Sequence, residues 1–464
     1  MKLKIFLPIL FLATMFFSCK ERNVDPASET ETNEWIYANM KYWYYWNDYI
    51  TASPDYSKDP KAFFESLLYK YNATSRPDGD RFSWIQESAD ELQASLGGES
   101  KTTGMEYKLV YYPSGSTNVI GVVLYVAPDS PASKAGFARG DIFSSVNGQK
   151  LSGTNYSGLL NNQDKKTFTL SKPDKDGVLE EGTIVKEVTP VVLQEDPVFF
   201  DTTYTYGANK IGYVVYHQFV PEPYQANNGL YDKKLDNIFA KFKAGNVNAL
   251  ILDLRYNPGG YVSSATNLAS LIVRATSNDI FYYKEYNDEV TETSRKKFGD
   301  SYFYDKFAAK AQNIGSSLNH VYILVSSNSA SASELVINGL KPYMNVTLIG
   351  GKTVGKNVGS VTLTGKDKGI KWGLQPIVSK SLNKDKKSDY NTGFVPDYPV
   401  SEGIFLFPYG NPKDPLLGEA LFRITGTHVV RQAKDARILQ EEESQVINSS
   451  ITKKAGGSNM FFKQ

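Results

Sequence analysis

The chain of 464 residues has a single cysteine, Cys19, and only three histidines, His217, His320 and His428. One cysteine excludes any intrachain disulfide. Without a His-x-x-x-His pair, a cysteine pair or a dense carboxylate cluster in a loop of fixed spacing, there is no metal-ligand pattern, and no cofactor is expected. Charge of one sign is also lacking: 51 Lys plus Arg against 50 Asp plus Glu leave a formal net charge of +1. With no net field and no basic stripe interleaved with aromatics, nucleic acid is not an expected partner. The apolar run from Ile5 to Phe17 falls short of the ~20 residues that a membrane-spanning helix needs, and no repeat of solenoid period is present.

What is present begins with an export signal. Lys2 and Lys4 form a charged start, the apolar run follows, and the segment ends at Phe16-Phe17-Ser18-Cys19. This run resembles a bacterial lipoprotein signal, in which a small residue, here Ser18, precedes the cysteine that is acylated; Phe16 departs from the aliphatic residue usual there. The resemblance implies lipidation at Cys19, and with it a membrane-anchored protein of the cell envelope, on the periplasmic or outer-membrane face. The polar stretch after it reads as a tether.

From Glu34 to Gly98 apolar residues recur at helical spacing, as in Trp35, Tyr42, Trp43 and Trp46 and again in Phe63, Phe64, Leu67 and Leu68. The aromatic stripe Tyr42 to Trp46 is read as core, not as a sugar platform. Short β-rich runs then alternate with turn clusters from Gly104 to about Pro190. Within them Ser130-Pro131-Ala132 starts a short helix, Gly136 ends it, and Asn147-Gly148 makes a tight turn. From Lys210 to about Val400 strands and helices alternate as in an α/β domain. Phe281 to Asn319, charged and aromatic, is expected to form a lid or cap over one face. A helix is expected within Pro412 to Gly426.

The expected partition is a signal at 1–18, a tether at 19–33, a helical domain at 34–100, a β-rich module at 103–190, an α/β domain at 195–410, a C-terminal helical segment at 411–440 and a mobile tail at 441–464.

One constellation carries chemistry. Ser331 follows the apolar strand Val321 to Ser326 and opens Ser331-Ala332-Ser333-Glu334, where a helix should start; Lys356 lies in Thr353-Val354-Gly355-Lys356. A serine with a neutral lysine as its base can cleave a peptide bond. The Ala332 N–H would supply one donor to the oxyanion. Gly259 or Gly260, in the turn Asn257-Pro258-Gly259-Gly260, would supply the other, since residues without Cβ let backbone approach a substrate closely. The lysine's pKa must fall from ~10.4 to ~7, which burial must drive at roughly 4 kcal/mol. Two rival readings stand beside this one. Ser-x-x-Glu is also a capping box, with Glu334 answering Ser331, and His217 or His428 would serve a different hydrolase.

The residues Val123 to Ala132, Ala135-Gly136-Phe137, Gly140-Asp141-Ile142-Phe143 and Val146-Asn147-Gly148 together resemble a bacterial PDZ domain. That resemblance implies capture of an extended peptide as an added strand, with the loop at Gly104 and Met105 holding its carboxylate. Over most of the chain past the tether, this order resembles the C-terminal processing peptidases, also called tail-specific proteases: helical segment, PDZ domain, Asp253 to Gly260, Ser331 to Glu334, Gly355-Lys356 and Gly393-Phe394-Val395-Pro396-Asp397. The resemblance implies a multidomain α/β protein with a crotonase-like Ser/Lys peptidase core and a C-terminal helix. In that family the nucleophile stands 25 residues before the base, which selects Ser331 over Ser333. Many members carry glutamine four residues after the lysine, where this chain has Ser360. The implied function is a serine endopeptidase that recruits accessible C-terminal tails of proteins or peptides. The alternative is a PDZ-containing lipoprotein on the same scaffold that binds peptides without cutting them.

Overall fold

Strands Asn209–Tyr216, Ala249–Asp253 and His320–Val325 bury side chains on both faces, as strands of a mostly parallel sheet covered on both sides must. The computed structural model describes residues 25–113, 115–161, 164–174, 178–318, 320–428, 446–453 and 460–462. These strands lie at the centre of a six-stranded sheet ordered Val198–Tyr206, Asn209–Tyr216, Ala249–Asp253, His320–Val325, Asn345–Gly350 and Tyr398–Pro399. The first pair is antiparallel and the rest are parallel. Helices Leu230–Ala244, Val262–Ile272 and Ala332–Leu340 pack on one face through Leu235, Phe239, Leu268 and Leu335. Helix Pro415–Thr425 covers the other through Leu416, Leu417, Ala420 and Leu421.

A second six-stranded sheet is ordered Gly260–Tyr261, Met460–Phe462, Val358–Val361, Ile377–Asn383, Ile280–Tyr286 and Tyr304–Lys306. Two expectations change here. The segment from Phe281 does not begin as a lid or cap: Ile280–Tyr286 is a strand of this sheet, with Phe281 and Tyr282 buried in the main core. The tail expected to be mobile supplies paired backbone at two places, Val446–Ser449 and Met460–Phe462, because open sheet edges satisfy its N–H and C=O groups.

The N-terminal region differs from its expectation as well. Helix Glu29–Trp43 begins inside the segment read as a tether, since Ser28 and Glu31 form a capping box: Glu31 N–H donates to Ser28 Oγ (3.2 Å) and Ser28 N–H to the Glu31 carboxylate (2.8 Å). The core of this region continues into the α/β part of the chain. Ile36, Met40, Phe63 and Phe64 share one cluster with Val358, Val361, Leu374 and Ile377, and strand Trp84–Gln86 pairs antiparallel with Ile370–Gln375. The signal at 1–18 and Cys19 lie outside the described residues.

The β-rich module has the sheet order Val446–Ser449, Met105–Tyr111, Val119–Val126, Ile142–Val146, Lys166–Pro173 and Leu179–Val188. Its turn chemistry follows the sequence. Ser130 caps helix Pro131–Lys134 by accepting from Ser133 N–H (3.1 Å). Asn147 and Gly148 both have positive φ, +51° and +72°, as a type I′ hairpin turn requires.

Candidate active site

Strand His320–Val325 leads into a loop pinned to the end of its neighbour. Ser329 Oγ donates to the Leu254 carbonyl (2.8 Å) and Ser326 Oγ to that of Arg255. The chain then turns into helix Ala332–Leu340 at Ser331, whose φ of +61° and ψ of −111° are strained for a residue with a Cβ. Ser331 is fully buried, and its Oγ has no hydrogen-bond partner among the described residues. The Ser331 N–H donates to Glu334 Oε2 (2.9 Å). Ser331 and Glu334 occupy the positions of a capping box, and the positive φ is what departs from an ordinary cap.

The glycine turn is tied to this loop by Asn257. The Asn257 carbonyl accepts from Ala330 N–H (3.2 Å) and Ser333 Oγ (2.9 Å), and its Nδ2 donates to the Tyr216 carbonyl (2.9 Å). The Gly259 N–H is already given to Asn257 Oδ1 (2.9 Å). Gly260 has φ +136°, and a Cβ there would stand 2.2 Å from the Phe219 carbonyl oxygen, so only glycine fits. Ala332 occupies the first position of its helix, where an N–H has no acceptor within the helix.

Lys356 is 0 % exposed. Burial pushes its amine down to about 7; Asp80 and Glu334 oppose that shift, and Arg81 adds to it. Its Nζ sits 4.9 Å from the centre of the Phe82 ring. The cover over the lysine is the segment Asp80 to Phe82. It is held by Tyr44 Oη donating to Asp80 (2.9 Å), and by Arg81 donating to the carbonyls of Gly355 and Asn391 (both 2.7 Å). From sequence this segment falls within the helical domain and is given no part in the site.

Glu334 joins the two halves. Its Oε2 accepts the N–H groups of both Ser331 (2.9 Å) and Lys356 (2.8 Å), while Oε1 accepts Thr353 Oγ1 (2.6 Å) and Gly355 N–H (2.7 Å). Burial pushes its carboxyl up, and these hydrogen bonds hold it back. Ser331 and Lys356 thus hang their backbones on one oxygen atom. Ser360, where the family usually has glutamine, accepts from Gln375 Nε2 (2.9 Å), and Thr362 Oγ1 donates to Gln375 Oε1 (2.8 Å). The sequence reading missed Gln375 because it lies 15 residues further on, on another strand.

Gly104 and Met105 are not part of this cluster; Met105 opens strand Met105–Tyr111 of the β-rich module and Gly104 precedes it. Their N–H groups are given to Thr102 Oγ1 (3.1 Å) and Thr103 Oγ1 (3.3 Å). A cavity of about 660 Å³ runs beside them, lined in part by Thr103, Met105, Tyr107, Leu160 and Phe168. Further along the same strand edge, Val446–Ser449 pairs with Lys108 to Val110. The histidines have structural partners: His217 contacts Tyr409 Oη (3.0 Å), His320 contacts Thr347 Oγ1 (2.5 Å) and His428 stacks on Phe422. Among the described residues no group of three His, Cys, Asp or Glu is placed to hold a metal ion, and no helix is long and apolar enough to cross a membrane.

A buried charge network connects the module to this site. Arg139 donates to Glu402 (2.6 Å), to Tyr256 Oη (3.0 Å) and to the Leu124 carbonyl (2.7 Å). Arg255, just before the glycine turn, donates to Asp253, Asp414 and the same Glu402. Burial alone would raise the Glu402 carboxyl, but Arg139, Arg255 and Lys108 hold it well below the usual carboxylate range.

Residues 210–400 match the family described as Peptidase family S41, residues 31–84 match the Peptidase S41 N-terminal domain, and residues 122–171 match a PDZ domain. The chain is 27 % identical over 275 residues to the carboxy-terminal-processing protease of Bartonella bacilliformis, covering 58 % of this chain and 55 % of that one. It is 25 % identical over 271 residues to a probable CtpA-like serine protease of Staphylococcus aureus, covering 58 % and 48 %. The chain thus spans about half the length of these curated relatives. A crystal structure of a putative S41 protease from Bacteroides fragilis is similar at a TM-score of 0.68 and 27 % identity, covering 84 % of this chain and 97 % of that one.

Proposed function

The chain belongs to peptidase family S41, and from that premise we propose a serine-type endopeptidase of the cell envelope, anchored by lipid at Cys19, that takes protein tails through its PDZ domain and cuts them with Ser331 and Lys356. The observation that carries this reading is the lysine: a fully buried amine brought down to about 7 is neutral often enough at physiological pH to accept a proton.

In the proposed reaction the neutral Lys356 Nζ takes the proton of Ser331 Oγ as that oxygen attacks the scissile carbonyl carbon. The negative charge that gathers on the carbonyl oxygen is met by the Ala332 N–H and by an N–H of the glycine turn. The Gly259 N–H is engaged by Asn257, which makes Gly260 the candidate. The tetrahedral intermediate collapses as Lys356 returns its proton to the leaving amine. A water activated by the same amine then hydrolyses the acyl-enzyme. Glu334 acts as a positioning residue. Peptide capture by the module would use the Gly104 and Met105 amides once their threonine partners yield.

The test is cleavage of unfolded casein by the wild type, Ser331→Ala and Lys356→Ala. Loss in both variants, with unchanged circular dichroism, is expected. Equal cleavage by all three would sink the dyad, and no cleavage by a folded wild type would leave the peptide-binding lipoprotein as the better reading.

A further inference from the structure

Strand Met460–Phe462 lies between the two elements that flank the candidate site. It pairs in parallel with Gly260–Tyr261 on one side, Met460 opposite Gly260 and Phe461 opposite Tyr261. It pairs in parallel with Val358–Val361 on the other, Phe461 opposite Ser360 and Phe462 opposite Val361. One neighbour is therefore the glycine turn, and the other is the strand that leaves Lys356. Phe461 is 1 % exposed in a pocket with Leu92 and Leu96, walled by Trp84 and Tyr261. Its ring meets Tyr261 edge-on at 4.2 Å.

We propose that this gap is the bed of the substrate strand, that its pocket selects an extended peptide with an aromatic or large aliphatic side chain, and that in the resting protein the chain's own Phe461 fills it. The inference rests on the peptidase reading for its consequence in turnover, but not for the occupancy itself. Flanking strands separated by one intervening strand stand about 9.5 Å apart, two ladder spacings, so a second strand has no room beside the first. Substrate and residues 460–462 must exclude one another. The pocket is built by helix Ala89–Leu96 and strand Trp84–Gln86 of the N-terminal region, which gives that region a part in specificity. Main-chain pairing supplies affinity that is indifferent to sequence, and the pocket supplies the choice.

A protein whose site is open only part of the time binds in proportion to that fraction. The probe is a fluorescein-labelled peptide of residues 455–464, with a control peptide carrying alanine at the position of Phe461. In the full-length Ser331→Ala protein, which cannot consume it, the peptide should bind roughly tenfold tighter when Phe461→Asp is added, and the control peptide should bind weakly to both. In the active protein Phe461→Asp should lower KM for casein by a similar factor with kcat little changed; Phe461→Ala should do the same to a lesser degree. Equal peptide affinity with and without Phe461→Asp overturns the proposal, even if casein is cut. So does loss of cleavage accompanied by a lower melting temperature in both Phe461 variants, since the strand would then be structural. A difference in peptide affinity in a protein that never cuts casein would keep the occupied bed and discard the peptidase reading.

Discussion

Lys356 must lose a proton before it can take one. Its amine is held at about 7 by burial, so kcat/KM is expected to rise about tenfold per pH unit below that value and to level off above it. A flat profile from pH 5 to 9 would remove Lys356 as the base. The same burial costs stability. The unfolded lysine keeps its proton to about 10.4 and the folded one only to about 7, so between those values the unfolded state binds more protons. Stability therefore rises with pH across that window. Below it the full cost stands, of order 4 to 5 kcal/mol. Lys356→Met should then be inactive yet melt higher than the wild type at pH 6, with the gap closing towards pH 10. Glu334 poses the complementary case: one carboxylate accepts four donors from the segments that carry Ser331 and Lys356. Glutamine offers one accepting oxygen, and its NH2 would face donors. Glu334→Gln is expected to cost roughly 2 to 4 kcal/mol in urea unfolding and to lower kcat far more than it raises KM.

At the scale of elements, the glycine turn and the helix start are fixed from different directions. Helix Ala332–Leu340 is set by its buried apolar face and by the pinned loop before it. The turn is set by Asn257 and by Phe219, whose N–H and C=O hold Gly259 and Tyr261 at 2.9 and 2.7 Å. A methyl group at Gly260 would collide with that carbonyl and meet an unfavourable φ. Gly260→Ala is expected to lower kcat by about 10² or more, the scale of losing an oxyanion donor, while far-ultraviolet circular dichroism stays that of the wild type. Retained turnover would mean that the turn does not face the reacting carbonyl.

For the whole molecule, the PDZ domain meets the peptidase core through buried charge and through apolar clusters that set Ile142 beside Ile404 and Leu124 beside Tyr256. Arg139 of the former and Arg255 of the latter share Glu402, and both arginine side chains are under a tenth exposed. Removing one member leaves the rest uncompensated. Arg139→Met is expected to destabilise the protein by about 3 to 5 kcal/mol and to split a single calorimetric transition into two, the PDZ domain melting first. A single transition at the wild-type temperature would show that the domains are joined by other contacts. Acid should have a related effect: the Glu402 carboxyl is depressed in the fold, so its contribution is present above the ordinary carboxylate range and is lost as pH falls towards its folded value.

Read along the chain, the strand-to-helix junction at Ser331 and the turns of the β-rich module were legible, because motifs such as Asn147-Gly148, Ser130-Pro131 and Ser331-Ala332-Ser333-Glu334 act through bonds to near neighbours; the pairing of Ser331 with Lys356 came from the family resemblance. It took the folded chain to show what shields the lysine, which amide of the glycine turn stays uncommitted to Asn257, and where the glutamine beside Ser360 comes from. Those depend on Phe82, Asn257 and Gln375, brought in by separate segments whose local patterns show no more than a turn or a strand. The tail was misjudged for the same reason. Its polar composition suits a mobile end, but two open strand edges, at Met105–Tyr111 and beside Val358–Val361, give its backbone partners that no reading along the chain can supply. Desolvation and strand pairing are sums over whatever the fold assembles around a group, and that assembly exists only once the chain has closed on itself.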